Sequence, residues 1–166
     1  MENKTDFGRY IRALACFIVL VALDLLTKTR AAETLPERPI VLIKGVFELR
    51  YLENRGAAFG LLQNQRTFFL ILTSIFILVM IWVFTRIPAE KKYLPLRILT
   101  VVVSAGAFGN FYDRLTLTYV RDFLYFSLIN FPIFNVADIY VTCSAFAFFI
   151  LIVFYYKEED LSFFRL

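Results

Sequence analysis

Four long apolar stretches dominate the chain: Ala13 to Leu26, broken only by Asp24, then Thr67 to Phe84, Ile98 to Tyr112 and Ile139 to Tyr156. A membrane-spanning helix needs about 20 predominantly apolar residues. The second and fourth stretches reach that length almost as they stand. The first does so by extending back to Tyr10, with Arg12 snorkelling to the surface, and the third by starting at Leu94. This pattern predicts spans over approximately 10–26, 67–85, 94–112 and 138–156, with loops 27–66 and 113–137 on the side away from the termini. A further uncharged stretch, Phe123 to Ala137, is interrupted by Asn130, Pro132 and Asn135. Its aromatic Phe-Leu-Tyr-Phe and Phe-Pro-Ile-Phe pieces predict an extended segment at the membrane interface.

The loop 27–66 is too long for a simple turn. Pro39 to Ile43 and Val46 to Leu52 have the β-branched and alternating character of strands, and Lys44-Gly45 between them suits a hairpin turn. After them Asn54-Arg-Gly-Ala-Ala-Phe-Gly60 reads as a glycine-punctuated loop in which Gly56 and Gly60 permit tight turns. The expected architecture is an α-helical integral membrane protein: four transmembrane helices and a small extracytoplasmic β-sheet and loop platform, all one domain. Basic residues are denser in the tails and in the loop Thr85 to Lys92, with Arg97, than in the two long loops. The positive-inside rule then puts both termini in the cytoplasm. Lys28 and Arg30 follow the first span and no Ala-x-Ala site ends it, which argues against a cleaved signal peptide.

Composition narrows the chemistry. The 166 residues are 60% apolar and 18% aromatic, with a net charge of +4, two Cys and no His. Soluble domains run at about 45–50% apolar, so both a soluble and a disordered chain are excluded. The positive charge comes with no nucleic-acid readout motif and reads as membrane orientation. Without His, Ser-His-Asp and Cys-His catalysis and His-ligated zinc are ruled out. Cys16 and Cys143 lie in apolar runs and have neither metal-ligand nor disulfide-framework spacing. Acid–base chemistry falls to carboxylates, and neither a metal nor a cofactor is expected.

Carboxylates near a bilayer are expensive, so they are expected to be paired, interfacial or functional. Asp24, Asp113, Asp122 and Asp138 all fall toward the side of the long loops. Asp24 precedes Lys28 by four residues, and the simplest reading is an i,i+4 pair anchoring the first span at the interface. Gly106, Asn110 and Asp113 share one face of the third helix, among small residues that allow close packing. Asp113-Arg114 reads as an internal charge pair. Asp122 and Asp138 have no obvious neutralising neighbour at helical spacing. If brought together they cannot easily both ionise, which leaves one acid and one base able to activate water. Helix capping is the competing reading, above all for Asp138. A small transporter or proton-conducting subunit is the alternative from another class, although its carboxylates should run through the membrane thickness. The Lys157-Glu-Glu-Asp160 run reads as a solvated tail, with Phe163 and Phe164 able to return to the membrane surface.

Five motifs in order then carry a family resemblance across residues 10 to 156. They are Asp24-Leu-Leu-Thr-Lys28, Asn54-Arg-Gly-Ala-Ala-Phe-Gly60, Gly106-Ala-Phe-Gly-Asn-Phe-Tyr-Asp-Arg114, Val120-Arg-Asp-Phe123 and Phe134-Asn-Val-Ala-Asp138. The chain resembles the lipoprotein signal peptidases (signal peptidase II), aspartic endopeptidases of the bacterial inner membrane. The resemblance implies that Asp122 and Asp138 are catalytic. It implies that Asn54, Gly56, Asn110, Arg114 and Asn135 bind substrate or order the site, with Asp24, Lys28 and Asp113 in support. It also implies diacylglyceryl-prolipoprotein substrates cut just before the lipidated Cys, contact with membrane lipids, a monomer and an active site near the extracytoplasmic face. Two positions depart from the family pattern. Ala105 stands where a first Gly is usual, and Arg121 stands before Asp122 in place of an apolar residue, where it is expected to favour ionisation of that Asp.

Overall fold

The structure is a computed structural model and describes residues 7–56 and 62–164. Residues 57–60, the end of the glycine-punctuated loop including Gly60, lie outside the described residues. Four helices cross the molecule: α1 (Phe7–Thr34), α2 (Arg66–Arg86), α3 (Leu94–Leu117) and α4 (Val136–Ile150), the last continued by a π turn at Leu151–Tyr155. Counting the short 3-10 turn before α3 and the π turn after α4, all four are long and apolar enough to span a bilayer.

Local chemistry sets where the helices begin and end. Ile87, before Pro88, turns extended and stops α2. Pro95 sits in the first turn of α3, where its missing N–H costs nothing. Thr118, in the left-handed conformation at φ 72°, closes α3. Two helices outrun their expected spans: α1 continues to Thr34 and α3 to Leu117, so Lys28 and Asp113 are helical residues and not loop residues.

α3 is the centre of the bundle and packs against α1, α2 and α4. Its buried residues are small or polar as often as apolar, and include Thr100, Ser104, Ala105, Gly106, Gly109 and Asp113. Gly106 and Gly109 are close-approach points. A Cβ on Gly106 would sit 2.5 Å from the Ala137 carbonyl oxygen of α4, and one on Gly109 would collide with the Asp24 carboxylate of α1. α2 has no buried residue and is apolar all round, as a lipid-facing helix is.

Three antiparallel strands, β1 (Ile40–Ile43), β2 (Phe47–Asn54) and β3 (Val120–Tyr125), form a sheet in that order. The β1–β2 hairpin turns at Gly45, φ +72°. The third strand differs from the expected interfacial segment. The chain leaves α3, pairs along β2, and then folds back so that Phe134 and Leu124 exchange backbone hydrogen bonds of 3.0 and 2.8 Å. A short 3-10 turn at Ser127–Ile129 lies between. All four β1 residues are exposed, as are Leu128 and Ile129, and this apolar surface suits contact with the bilayer interface.

The C-terminal segment is not a free solvated tail. Residues Glu158–Phe164 form a 3-10 helix, Asp160 pairs with Lys92 at 2.6 Å, and Leu161 and Phe163 pack against Ile87, Tyr93 and Tyr156. The Lys92 ammonium holds the half-buried Asp160 carboxyl below its usual range.

Candidate active site

Asp122 is the fully buried carboxylate of the site, at 1% exposure. Strand alternation turns it to the inner face of β3, while Arg121 points to the other side. Its two oxygens accept amide N–H bonds, 2.9 Å from Asn54 Nδ2 and 2.6 Å from Asn135 Nδ2. Burial first, and then the charge of Asp138, push its pKa up to about 7, outweighing the two amide donors.

Asp138 enters from the start of α4. Asn135 caps that helix: its Oδ1 accepts the Asp138 backbone N–H at 3.0 Å, and the Asp138 carboxylate accepts the Asn135 N–H at 3.0 Å, a reciprocal capping box. The second Asp138 oxygen accepts from Asn110 Nδ2 at 2.8 Å. The carboxylate therefore sits at a helix N-terminus, where negative charge is favoured. The capping alternative is observed, and it coexists with a second arrangement. Asn135 contacts both carboxylates at once, and Asp122 and Asp138 wall one cavity of about 420 Å³.

Beneath the pair lies a buried ion network. Lys28 is fully buried, with its Nζ 2.8 Å from Asp24 Oδ2, 3.6 Å from Asp113 Oδ2 and 2.8 Å from Asn110 Oδ1. The last contact fixes the Asn110 amide with its oxygen toward Lys28 and its N–H toward Asp138. Asp24 also accepts the Ala137 backbone N–H at 2.9 Å, which ties α1 to the first turn of α4.

Three expectations are corrected by these contacts. The expected i,i+4 Asp24–Lys28 pair forms, but as the fully buried core of the network and not as an exposed anchor, because α1 continues past it into protein. Asp113 and Arg114 are not paired: Asp113 meets Lys28 and, at 2.7 Å, Arg121. Arg121 does not drive Asp122 toward ionisation; its guanidinium grips Asp113 and Thr29 across the strand, and the Asp122 pKa goes up. Arg114 donates to the Gly56 carbonyl at 3.0 Å, stacks over Phe69 and lines the cavity. Asn54 closes a local turn by accepting the Gly56 N–H at 2.9 Å.

All ten residues singled out from the sequence thus gather in one region. The sequence reading missed the cavity's apolar wall, Phe131 to Phe134 with Ile139 and Thr142. The signal was the proline-interrupted aromatic stretch already noted as interfacial. Among the described residues no group of three or more Cys, Asp or Glu side chains is placed to hold a metal ion.

Comparison with known proteins identifies the family. Residues 16–154 match the family described as Signal peptidase (SPase) II. A lipoprotein signal peptidase of Streptococcus thermophilus (strain CNRZ 1066) is 36% identical over 153 residues, covering 92% of this chain and 97% of that protein. One from Streptococcus pyogenes serotype M5 (strain Manfredo) is 38% identical over 144 residues, covering 86% and 91%. A solved structure described as a bacterial membrane enzyme obtained by the in meso method superposes with a TM-score of 0.78 at 28% identity, covering 92% of each chain. The chain belongs to the signal peptidase II family and is a multi-pass bacterial membrane protease.

Proposed function

We propose that this protease removes signal peptides from diacylglyceryl-modified prolipoproteins, cutting before the lipidated Cys, with Asp122 and Asp138 as its catalytic pair. The observation that carries the reading is the single cavity walled by two carboxylates that share Asn135. The half-buried Asp138 acts as the carboxylate that takes a proton from water attacking the scissile carbonyl. Asp122, which keeps its proton up to about pH 7, donates to the departing amine. Neither step needs a cofactor. Arg114 and Asn54 line the approach, where they can hold peptide carbonyls, and the apolar wall from Phe131 to Ile139 suits a lipidated substrate. The relatives' printed names support the substrate class. The cavity opens at the end of the bundle that carries the sheet, which in this reading is the extracytoplasmic end, with both termini cytoplasmic and the enzyme a monomer.

The test uses the reconstituted full-length enzyme with a lipidated prolipoprotein and its unlipidated form, read by gel shift. Wild type is expected to cut only the lipidated form. Asp122→Asn and Asp138→Asn are expected to lose about 10³-fold or more in rate while keeping membrane insertion and abundance. Normal processing by either variant would overturn the pair, and equal cleavage of the unlipidated form would overturn the substrate.

A further inference from the structure

The sheet alone holds Asp122 weakly. Along the β2–β3 ladder Leu49 faces Leu124 and Leu52 faces Asp122, so β2 spends one residue more than β3 immediately beside Asp122. Such a bulge interrupts the ladder where register matters most. A slip of one residue in β3 would turn Asp122 away from the cavity. On the far side of the bulge Phe123 is secured by packing on Ala31 and Leu35 and by its N–H bond to Phe134 O at 2.9 Å. On the near side stands Arg121.

Arg121 is tied to two helices. Its Nη2 and Nε donate to the two Asp113 oxygens at 2.7 and 3.2 Å, and its Nη1 donates to Thr29 Oγ1 at 3.1 Å. Its backbone N–H also donates to Asp113 Oδ2, at 3.1 Å. Side chain and main chain of one β3 residue are thus fixed to α3, and the same guanidinium reaches α1. Asp113 in turn needs this partner. Its carboxylate is fully buried, and Lys28 stands 3.6 Å from it while engaging Asp24 at 2.8 Å. One ammonium would otherwise serve two buried carboxylates, a costly arrangement. The planar fork of Arg121 fits a carboxylate in a way that no apolar residue, and no Lys, can reproduce.

The anchorage extends to the second carboxylate. Lys28 holds the Asn110 oxygen at 2.8 Å, and Asn110 donates to Asp138 at 2.8 Å. From Arg121 a continuous chain of contacts runs through Asp113, Lys28 and Asn110 to Asp138, while the next peptide along β3 carries Asp122.

We propose that Arg121 is a positioning residue for the peptidase reaction, pinning β3 to α1 and α3 in the one register that turns Asp122 into the cavity beside Asp138. It acts through the strand, since its side chain grips Asp113 and Thr29 and not Asp122. The inference rests on the reading of Asp122 as catalytic.

The test combines steady-state cleavage of a lipidated prolipoprotein with hydrogen exchange of the β3 amides in the reconstituted full-length enzyme, well below the melting temperature of every variant. Arg121→Gln is expected to lower kcat about tenfold or more with KM within about twofold, and to speed exchange across β3 about tenfold. Arg121→Lys, which keeps the charge but not the fork, should fall between Arg121→Gln and wild type. Thr29→Val removes only the bond to α1 and leaves Asp113 paired, so it should fold normally and show both effects at about threefold. Leu96→Ala, in the apolar cluster at the other end of α3, lowers the melting temperature without reaching the sheet and should keep wild-type kcat and β3 exchange. Wild-type kcat or wild-type β3 exchange in both Arg121→Gln and Thr29→Val would overturn the proposal, as would an equal loss of kcat in Leu96→Ala. If Asp122→Asn is inactive in the same assay, those outcomes leave the peptidase reading standing. Normal cleavage by Asp122→Asn would instead overturn that reading and the catalytic role of Arg121 with it.

Discussion

α2 and the second half of α3 cross the same membrane under opposite rules. α2 exposes apolar side chains on every face and buries none of them. α3 buries glycine, serine, alanine and aspartate and touches every other helix. Lipid tails are as apolar as leucine, so hydrophobicity puts a helix in the bilayer but does not join it to its neighbours. Joining comes from close backbone approach and from polar contacts. α2 is accordingly fastened at its ends. Arg66 donates to the Arg114 and Leu115 carbonyls at 2.8 Å each, and Val83 packs on the cluster of Ile87, Tyr93, Leu96 and Tyr156.

Substitutions on the two helices and on the groups they hold test this contrast. The largest effect is expected at Lys28. Lys28→Met leaves Asp24 and Asp113 short of a buried cation and frees the Asn110 amide, and should cost about 3–5 kcal/mol of stability. Thermal unfolding in detergent measures it, and a melting curve equal to wild type would show that the network is not what joins the helices. Next comes Gly109→Ala, whose Cβ must displace the Asp24 carboxylate and its bonds to Lys28 and Ala137, at about 1–3 kcal/mol. Normal thermal stability there would mean that α1 and α3 have slack the close packing denies.

A milder effect is expected from pH. The Asp122 carboxyl is raised from its ordinary value of 3.8 to about 7, so the protonated form is present below pH 7 and is lost as pH rises through it. Cleavage (kcat/KM) should therefore fall about tenfold per pH unit above that point. A flat profile from pH 6 to 9 would remove Asp122 as the acid. The smallest effect is expected on the lipid face, where Leu78→Val in the middle of α2 should change stability by no more than about 0.5 kcal/mol. A large loss would reveal a neighbour for a residue that is 66% exposed.

The same contrast explains what could be read before the structure. α2 was fully legible, because its only instruction is hydropathy, and the β1–β2 hairpin was legible from its turn. β3 was not: its residues resemble any aromatic interfacial stretch, and only pairing with β2, far away in sequence, makes them a strand. The sequence singles out residues that the fold gathers in one region, but it does not show their partners. Arg121 reaches Asp113 across a helix-to-strand turn that no fixed spacing encodes, and hydropathy ends α1 near Leu26, which makes Lys28 read as a surface anchor. Alternation along β3 did contain one usable clue, since neighbours such as Arg121 and Asp122 must face opposite ways.

Asn135 caps the last helix and holds both proposed catalytic carboxylates, Asp122 through its side-chain amide and Asp138 through its backbone N–H. Asp138 is also among the last of these residues to leave the ribosome. If these two carboxylates are the catalytic pair, it cannot be completed until the fourth helix has formed and docked, and a nascent chain carrying only three helices would be a silent protease. On that reading, timing of synthesis would do what a removable pro-segment does in other peptidases: hydrolysis would begin only once α4 is in place.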